Sequence, residues 1–289
     1  MNLTSHASPK LLATLSTSDC RYTRCRVAAD NNSSLELLAI LAKDDAWQVR
    51  GDVARNDNCP KDLLASLAKD DVPGVRCGCA ENSKAPTELL AILVTDTNMD
   101  VRRAVAENPN ISIVHLMDLA KDAEWVVRKA TATNPRTPTS VLALLSSDHE
   151  GDVRCSVAAN PCCPEELLIT LANDADLLVR CRVATNPNCP ILTLITLANH
   201  DGQYPSSSAK NTLRSKSAEF WCAAVTQGIS LSTPFKEGLP GKTLGDALLA
   251  VSMVDVYHTI QEIEIAHQLN RSEPTPRSES TREKSKWSM

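Results

Sequence analysis

Aromatic side chains are scarce in this sequence: four Trp, three Tyr and two Phe make up 3% of 289 residues. A deep globular core draws on more of them, because each buries a large apolar area. Thin layers of Leu, Val and Ala, as in small helices stacked in a row, fit the shortage. Glycine is also scarce, with nine residues, and no G-x4-G-K-[ST] phosphate loop is present. No uninterrupted apolar run reaches about 18 residues, so no membrane-spanning helix is expected. The opening MNLTSHASPKLLATLS lacks a basic region followed by an apolar stretch, so no secretory signal is expected. The net charge of −5 provides no overall attraction to nucleic acid or an anionic membrane. Without a secretion signal, the eleven cysteines read as reduced thiols in a cytosol.

What the chain does have is a repeat. Arginine recurs at Arg24, Arg50, Arg76, Arg102, Arg128, Arg154 and Arg180, always 26 residues apart. Valine precedes six of the seven, with Thr23 the exception. Six residues upstream stand Asp44, Asp70, Asp96, Asp122, Asp148 and Asp174, with Ser18 in the first unit. Six residues downstream stand Asp30, then Asn56, Asn82, Asn108, Asn134, Asn160 and Asn186. Four residues beyond the asparagine column come Pro60, Pro86, Pro138, Pro164 and Pro190, followed by leucines. Leu11, Leu12 and Leu15 match that half-pattern, so a degenerate first unit begins near residue 6.

Each unit reads as two short helices. Proline suits a first helical position, and Glu36, Asp62, Glu88 and Glu166 suit the positive end of the helix dipole. Leucines at i, i+1 and i+4 make one apolar stripe, and Val-Arg-x-x-Val-Ala makes another. The second helix stops at an Asn-Pro turn, because a residue before proline avoids the α region. Neither helix can bury its stripe alone, so consecutive units must stack.

At these residues the pattern D-x4-V-R-x2-V-A-x-N-P-x2-P-x2-L-L-x2-L-A-x-D resembles the leucine-rich-repeat variant family, and its Asp-x4-Val-Arg portion is similar to HEAT repeats. The resemblance covers about residues 6 to 200. It implies an all-α, right-handed α-solenoid of about eight 26-residue two-helix repeats, an α-helix alternating with a short or 3₁₀ helix. It also implies a bacterial-type cytoplasmic setting. Some family members carry a cysteine-rich iron–sulfur module ahead of the repeats. Here only Cys20 and Cys25 lie in the first 50 residues, and no cluster is carried over.

The columns supply the candidate residues. The pairs Asp44 and Arg50, Asp70 and Arg76, Asp96 and Arg102, Asp122 and Arg128, Asp148 and Arg154, and Asp174 and Arg180 are expected to form a structural ladder across the seams. Residues 1–200 hold 20 Lys+Arg and 25 Asp+Glu; without seven ladder arginines and six ladder aspartates, 13 basic and 19 acidic side chains remain. That balance disfavours a phosphate-binding track. Three residues before each arginine the column reads Arg21, Trp47, Pro73, Met99, Trp125, Gly151, Leu177. Trp47, Met99, Trp125 and Leu177 are candidates for a partner surface if exposed, and seals of the seams if not.

Cysteines fall into the same columns. Cys25, Cys77, Cys155 and Cys181 follow the arginine; Cys59, Cys163 and Cys189 precede the proline; Cys20, Cys79 and Cys162 stand outside these columns. Cys155, Cys162, Cys163, Cys181 and Cys189 come from adjacent repeats, but no C-x2-C zinc knuckle is present. The six histidines share no metal-ligand spacing and no triad pattern, and His115 is expected as a hydrogen-bonded core imidazole. No catalytic residue and no cofactor are assigned. The function expected is non-catalytic protein recognition or scaffolding, with an unnamed protein partner. The competing class is a helical-repeat nucleic-acid binder or DNA glycosylase-like protein, and a third is a metal- or redox-responsive protein using the clustered cysteines.

Past Leu197 the register dissolves. A polar linker is expected over 201–218, a C-terminal helical cap over 219–270 with one long amphipathic helix over 241–270, and a disordered tail over 271–289.

Overall fold

The repeat sets the helix boundaries. In the computed structural model, which describes residues 8–199, 203–235 and 242–272, each unit is a seven-residue helix followed by a longer one. The short helices are α1 (Pro9–Leu15), α3 (Leu35–Leu41), α5 (Lys61–Leu67), α7 (Thr87–Leu93), α9 (Ile113–Leu119), α11 (Thr139–Leu145) and α13 (Glu165–Leu171). The long ones are α2 (Arg21–Ala28), α4 (Trp47–Arg55), α6 (Pro73–Glu81), α8 (Met99–Glu107), α10 (Trp125–Thr133), α12 (Gly151–Ala159) and α14 (Leu177–Thr185). Both kinds are α-helical in the described repeats. The short helix closes α-type bonds such as Leu64 N–H to Pro60 O and Ala68 N–H to Leu64 O, both at 2.9 Å.

The recurrent prolines stand one residue earlier than the sequence pattern implied. Pro60, Pro86, Pro138 and Pro164 are N-caps with extended ψ, not first helical residues. Ser8, Ser34 and Ser112 hold the same place in other units and cap with their hydroxyls. The fixed φ of proline serves either position, which is why sequence alone misplaces it by one.

Long helices pack directly on one another along the stack, and each short helix contacts the long helices beside it in sequence. The seam is apolar: Val101, Val105 and Ala106 of α8 are fully buried, as are their equivalents Val49, Val53 and Ala54 of α4. Each buried valine contributes roughly 1.5–3 kcal/mol relative to exposure. α4 and α6 approach closely, since a Cβ on Gly78 would lie 2.6 Å from the Gly51 carbonyl oxygen.

Contacts divide the chain into two compact units, Met1–Pro190 and Ile191–Met289. The division falls before α15 (Ile191–Asn199), although that helix keeps the leucine register expected to run to residue 200. The second unit continues with α16 (Gln203–Arg214), α17 (Ala218–Thr226), α18 (Leu244–Ala250) and α19 (Val254–Ser272). A two-stranded antiparallel ribbon, β1 (Pro234–Phe235) with β2 (Lys242–Thr243), precedes α18.

Two expectations for this region are corrected. Residues 203–214 of the expected linker are helical, because Pro205, Ala209 and Leu213 form a buried stripe at i, i+4 and i+8 within a serine-rich stretch. The expected single helix over 241–270 is two. α18 ends at Ala250, Ser252 just beyond its cap Val251 has φ 62°, and the Met253 N–H reaches back to the Leu248 carbonyl at 2.9 Å. That left-handed residue past the cap turns the chain, and burial of Met253 holds it there. The expected tail lies, from residue 273 on, outside the described residues. No described helix is long and apolar enough to cross a membrane.

Candidate functional site

The arginine column is not presented to solvent as a row of free cations. Arg24, Arg50, Arg76, Arg102, Arg128 and Arg154 each make a bidentate pair with the aspartate 20 residues on: Asp44, Asp70, Asp96, Asp122, Asp148 and Asp174. The Nε–Oδ2 distances are 2.6–2.7 Å. The Asp and Arg of one repeat meet differently: the Arg50 Nη1 donates to the main-chain carbonyl of Asp44 at 2.7 Å. Each guanidinium therefore ties its own helix start to the next repeat. Among the described residues, Arg180 makes only the internal contacts, to the Asp174 and Ala175 carbonyls. Its matching position is His200, outside the described residues.

Most ladder side chains retain some exposure, but Arg128 and Asp148 are nearly covered, at 8% and 6%. The Arg24 and Arg50 guanidinium groups hold Asp44 and Asp70 below the ordinary carboxylate range. At Asp96, Asp122, Asp148 and Asp174, burial is the strongest single influence and pushes upward. The arginine hydrogen bond, a backbone N–H two residues on and charge attraction together outweigh it, so these carboxyls also lie low.

A second ladder runs along the other end of the long helices, where sequence reasoning saw only a helix-stopping turn. The Asn56 side-chain amide donates to the Ala28 and Asp30 carbonyls of the preceding unit, and Asn82 to those of Ala54 and Asn56. The pattern continues without a break through Asn108, Asn134, Asn160 and Asn186. Each Oδ1 accepts the N–H two residues on, as Asn110 N–H gives to Asn108 at 2.8 Å. All six are buried. The available signal was an asparagine column with no exception after the first unit.

A third set of bonds explains Cys162. Side chains two residues past the asparagine donate to the previous turn: Asn58 to Asn31, Asn110 to Ser83, Arg136 to Pro109 and Asn188 to Pro161. Cys162 is the thiol member of that column, with Sγ 3.2 Å from the Pro135 carbonyl oxygen. It therefore belongs to a shared column after all, beside Cys163 in the pre-proline column. Both cysteines of the pair are placed by repetition.

All eleven cysteines are free thiols. Burial pushes Cys59, Cys77 and Cys163 up to about 11 and Cys79 to about 12, so these are packing groups and poor nucleophiles. Burial also raises Cys155 and Cys181. Exposed Cys20 moves the other way, lowered first by the Thr23 backbone N–H at the start of α2. Among the described residues, no three His, Cys, Asp or Glu side chains converge as metal ligands would. His115 is half-buried with its Nδ1 2.9 Å from the Ser112 hydroxyl.

Trp47, Met99, Trp125 and Leu177 begin alternate or neighbouring long helices and stay 37–41% exposed. Each is part seal and part surface. The Trp47 ring covers Gly74 of the next unit, where a Cβ would come within 2.6 Å of it. The Trp125 ring carries Lys129 Nζ 5.5 Å from its centroid. Gly151 interrupts the row, and the Asp176 carboxylate takes up the space a side chain there would need.

No protein-family model matches the chain, and no curated protein matches it. Among solved structures it is similar to a leucine-rich repeat variant described as having a novel repetitive protein structural motif. The identity is 25%, the match covers 71% of this chain and 81% of that one, and the TM-score is 0.52. By repeat pattern and by fold, this chain is an all-α solenoid similar to a leucine-rich repeat variant.

Proposed function

We propose that the chain is a non-catalytic recognition scaffold that binds a protein partner along the ridge of Trp47, Met99, Trp125 and Leu177. One observation carries this reading: large apolar side chains at equivalent helix starts remain more than a third exposed, three of them (Trp47, Met99 and Trp125) beside arginines that already hold carboxylates. Exposed tryptophans are effective anchors because they combine a large rigid area with little entropy to lose. Nucleic-acid binding draws no support from the arginine column, since six of its seven members are bidentate with aspartate. A phosphate track needs uncompensated cations.

The test is affinity capture from lysate of the native host with wild-type protein and the Trp47→Ala/Trp125→Ala double variant. Loss of a captured protein at unchanged unfolding midpoint supports the ridge. Destabilisation without selective loss of binding reduces the tryptophans to seam packing. A salt-sensitive shift of DNA mobility by the wild-type protein would move the assignment to nucleic acid.

A further inference from the structure

A groove of about 420 Å³ opens on the exposed face of α10, α12 and α14, among Lys129, Asp152, Cys155, Ser156, Leu178 and Arg182. Its origin lies in one column. The last residue of the long helix is Arg55, Glu81 and Glu107 in α4, α6 and α8. Arg55 and Glu81 bridge α4 to α6 at 2.6 Å, and Glu107 pairs with Arg103 of its own helix at 3.0 Å. Thr133 and Ala159 take that place at the groove and are too short to fill it.

The polar groups facing the groove are mostly committed. The Thr133 and Ser156 hydroxyls donate to carbonyls of their own helices, at Lys129 and Asp152. The Lys129 Nζ lies 3.4 Å from the Asp152 carboxylate as well as near the Trp125 ring. Asp176, beside the groove, accepts the Leu178 N–H at the start of α14. Arg182 is the exception. It is exposed, it lines the groove, and among the described residues no carboxylate stands within ion-pairing distance of it.

We infer that this groove seats a carboxylate side chain of an extended peptide, anchored by the Arg182 guanidinium. The 60% exposed Leu178 would meet an apolar side chain next to that carboxylate. A guanidinium grips a carboxylate through two parallel hydrogen bonds, as the ladder arginines do. One uncommitted cation with Asp152 and Asp176 nearby suits a single negative charge and repels a polyanionic phosphate backbone. The inference rests on the protein-recognition reading and specifies its partner: a segment in which Asp or Glu alternates with a bulky apolar residue.

The experiment uses fluorescence anisotropy with the full chain and three labelled probes: an end-capped peptide of alternating Glu and Leu, its Gln–Leu counterpart, and oligothymidylate. Wild-type protein is expected to bind the Glu–Leu peptide about tenfold more tightly than the Gln–Leu peptide. Arg182→Gln should erase that preference, and Arg182→Lys should keep part of it, with unchanged unfolding midpoints. No binding of the Glu–Leu peptide, a preference that survives in Arg182→Gln, or equal Arg182-dependent binding of oligothymidylate would each overturn the inference. If the groove fails while Trp47→Ala/Trp125→Ala still loses its captured partner, the ridge stands without it.

Discussion

The two units are built by different rules. In residues 8–190 every seam between long helices carries an arginine bond and an asparagine bond, and all but the one at Lys84 add a bond from the residue two places past the asparagine. Among the described residues of the second unit such long-range side-chain bonds are few. Arg214 meets Asp255 at 3.0 Å on the surface, and Glu264 accepts the Leu231 N–H at 2.7 Å. Its order comes from an apolar core of Leu194, Trp221, Leu248, Met253 and Ile260. The contrast shows what repetition requires. A one-dimensional stack has only nearest-neighbour contacts, so each seam must fix its own register. A non-repeating core fixes register through the shapes of unlike side chains.

Acid should separate the units most strongly. The ladder aspartates lie below their unfolded value of about 3.9. The stability they contribute is therefore fully present above about pH 4 and is lost as pH falls through the folded values. Hydrogen exchange followed down to about pH 2 should show the repeats opening before the second unit; simultaneous loss would deny the ladder that role.

Asn108→Ala comes next. It strands the buried Ala80 carbonyl and the Asn110 N–H, and takes one of two bonds from the Asn82 carbonyl, which keeps the Ala85 N–H. At about 1–3 kcal/mol per unsatisfied group, a loss of about 3–5 kcal/mol in urea unfolding is expected. A loss below about 1 kcal/mol would mean that water replaces the amide.

Arg128→Ala leaves Asp148 nearly covered without its partner. About 3 kcal/mol is expected, the low end for a buried pair, since the ladder borders solvent. Thermal unfolding of the single variant and of Arg128→Ala/Asp148→Ala would separate the stranded charge from the lost contact. The smallest effect belongs to the second unit. Arg214→Ala removes an exposed pair, 45% and 55% accessible, and should change stability by about half a kcal/mol or less.

Much of the repeat was readable from residues alone, because a column repeated at 26 residues reports one structural environment sampled seven times. The Asp and Arg columns stood out in that way. Their partnership did not: a period of 26 gives no preference between the carboxylate six residues before Arg50 and the one twenty residues after it. Cys162 escaped notice because its column holds Asn, Lys, Arg and Cys, and a contact to a carbonyl of the previous turn is what unites its Asn, Arg and Cys members. Residues 203–214 misled through composition, since three buried positions among serines make a weak stripe. The break at Ser252 carries no glycine, so nothing local marks it.

The sequence by itself determined the period, the two-helix unit and the need to stack, because a stripe of Leu or Val on a helix this short cannot be buried within one unit. Tertiary structure alone decided which carboxylate meets which guanidinium, that asparagines clamp the far edge, and that a groove opens beside Arg182. Those features are set by the offset between neighbouring repeats. That offset depends on how side chains from two units fill one seam, down to the contact of Gly51 with Gly78.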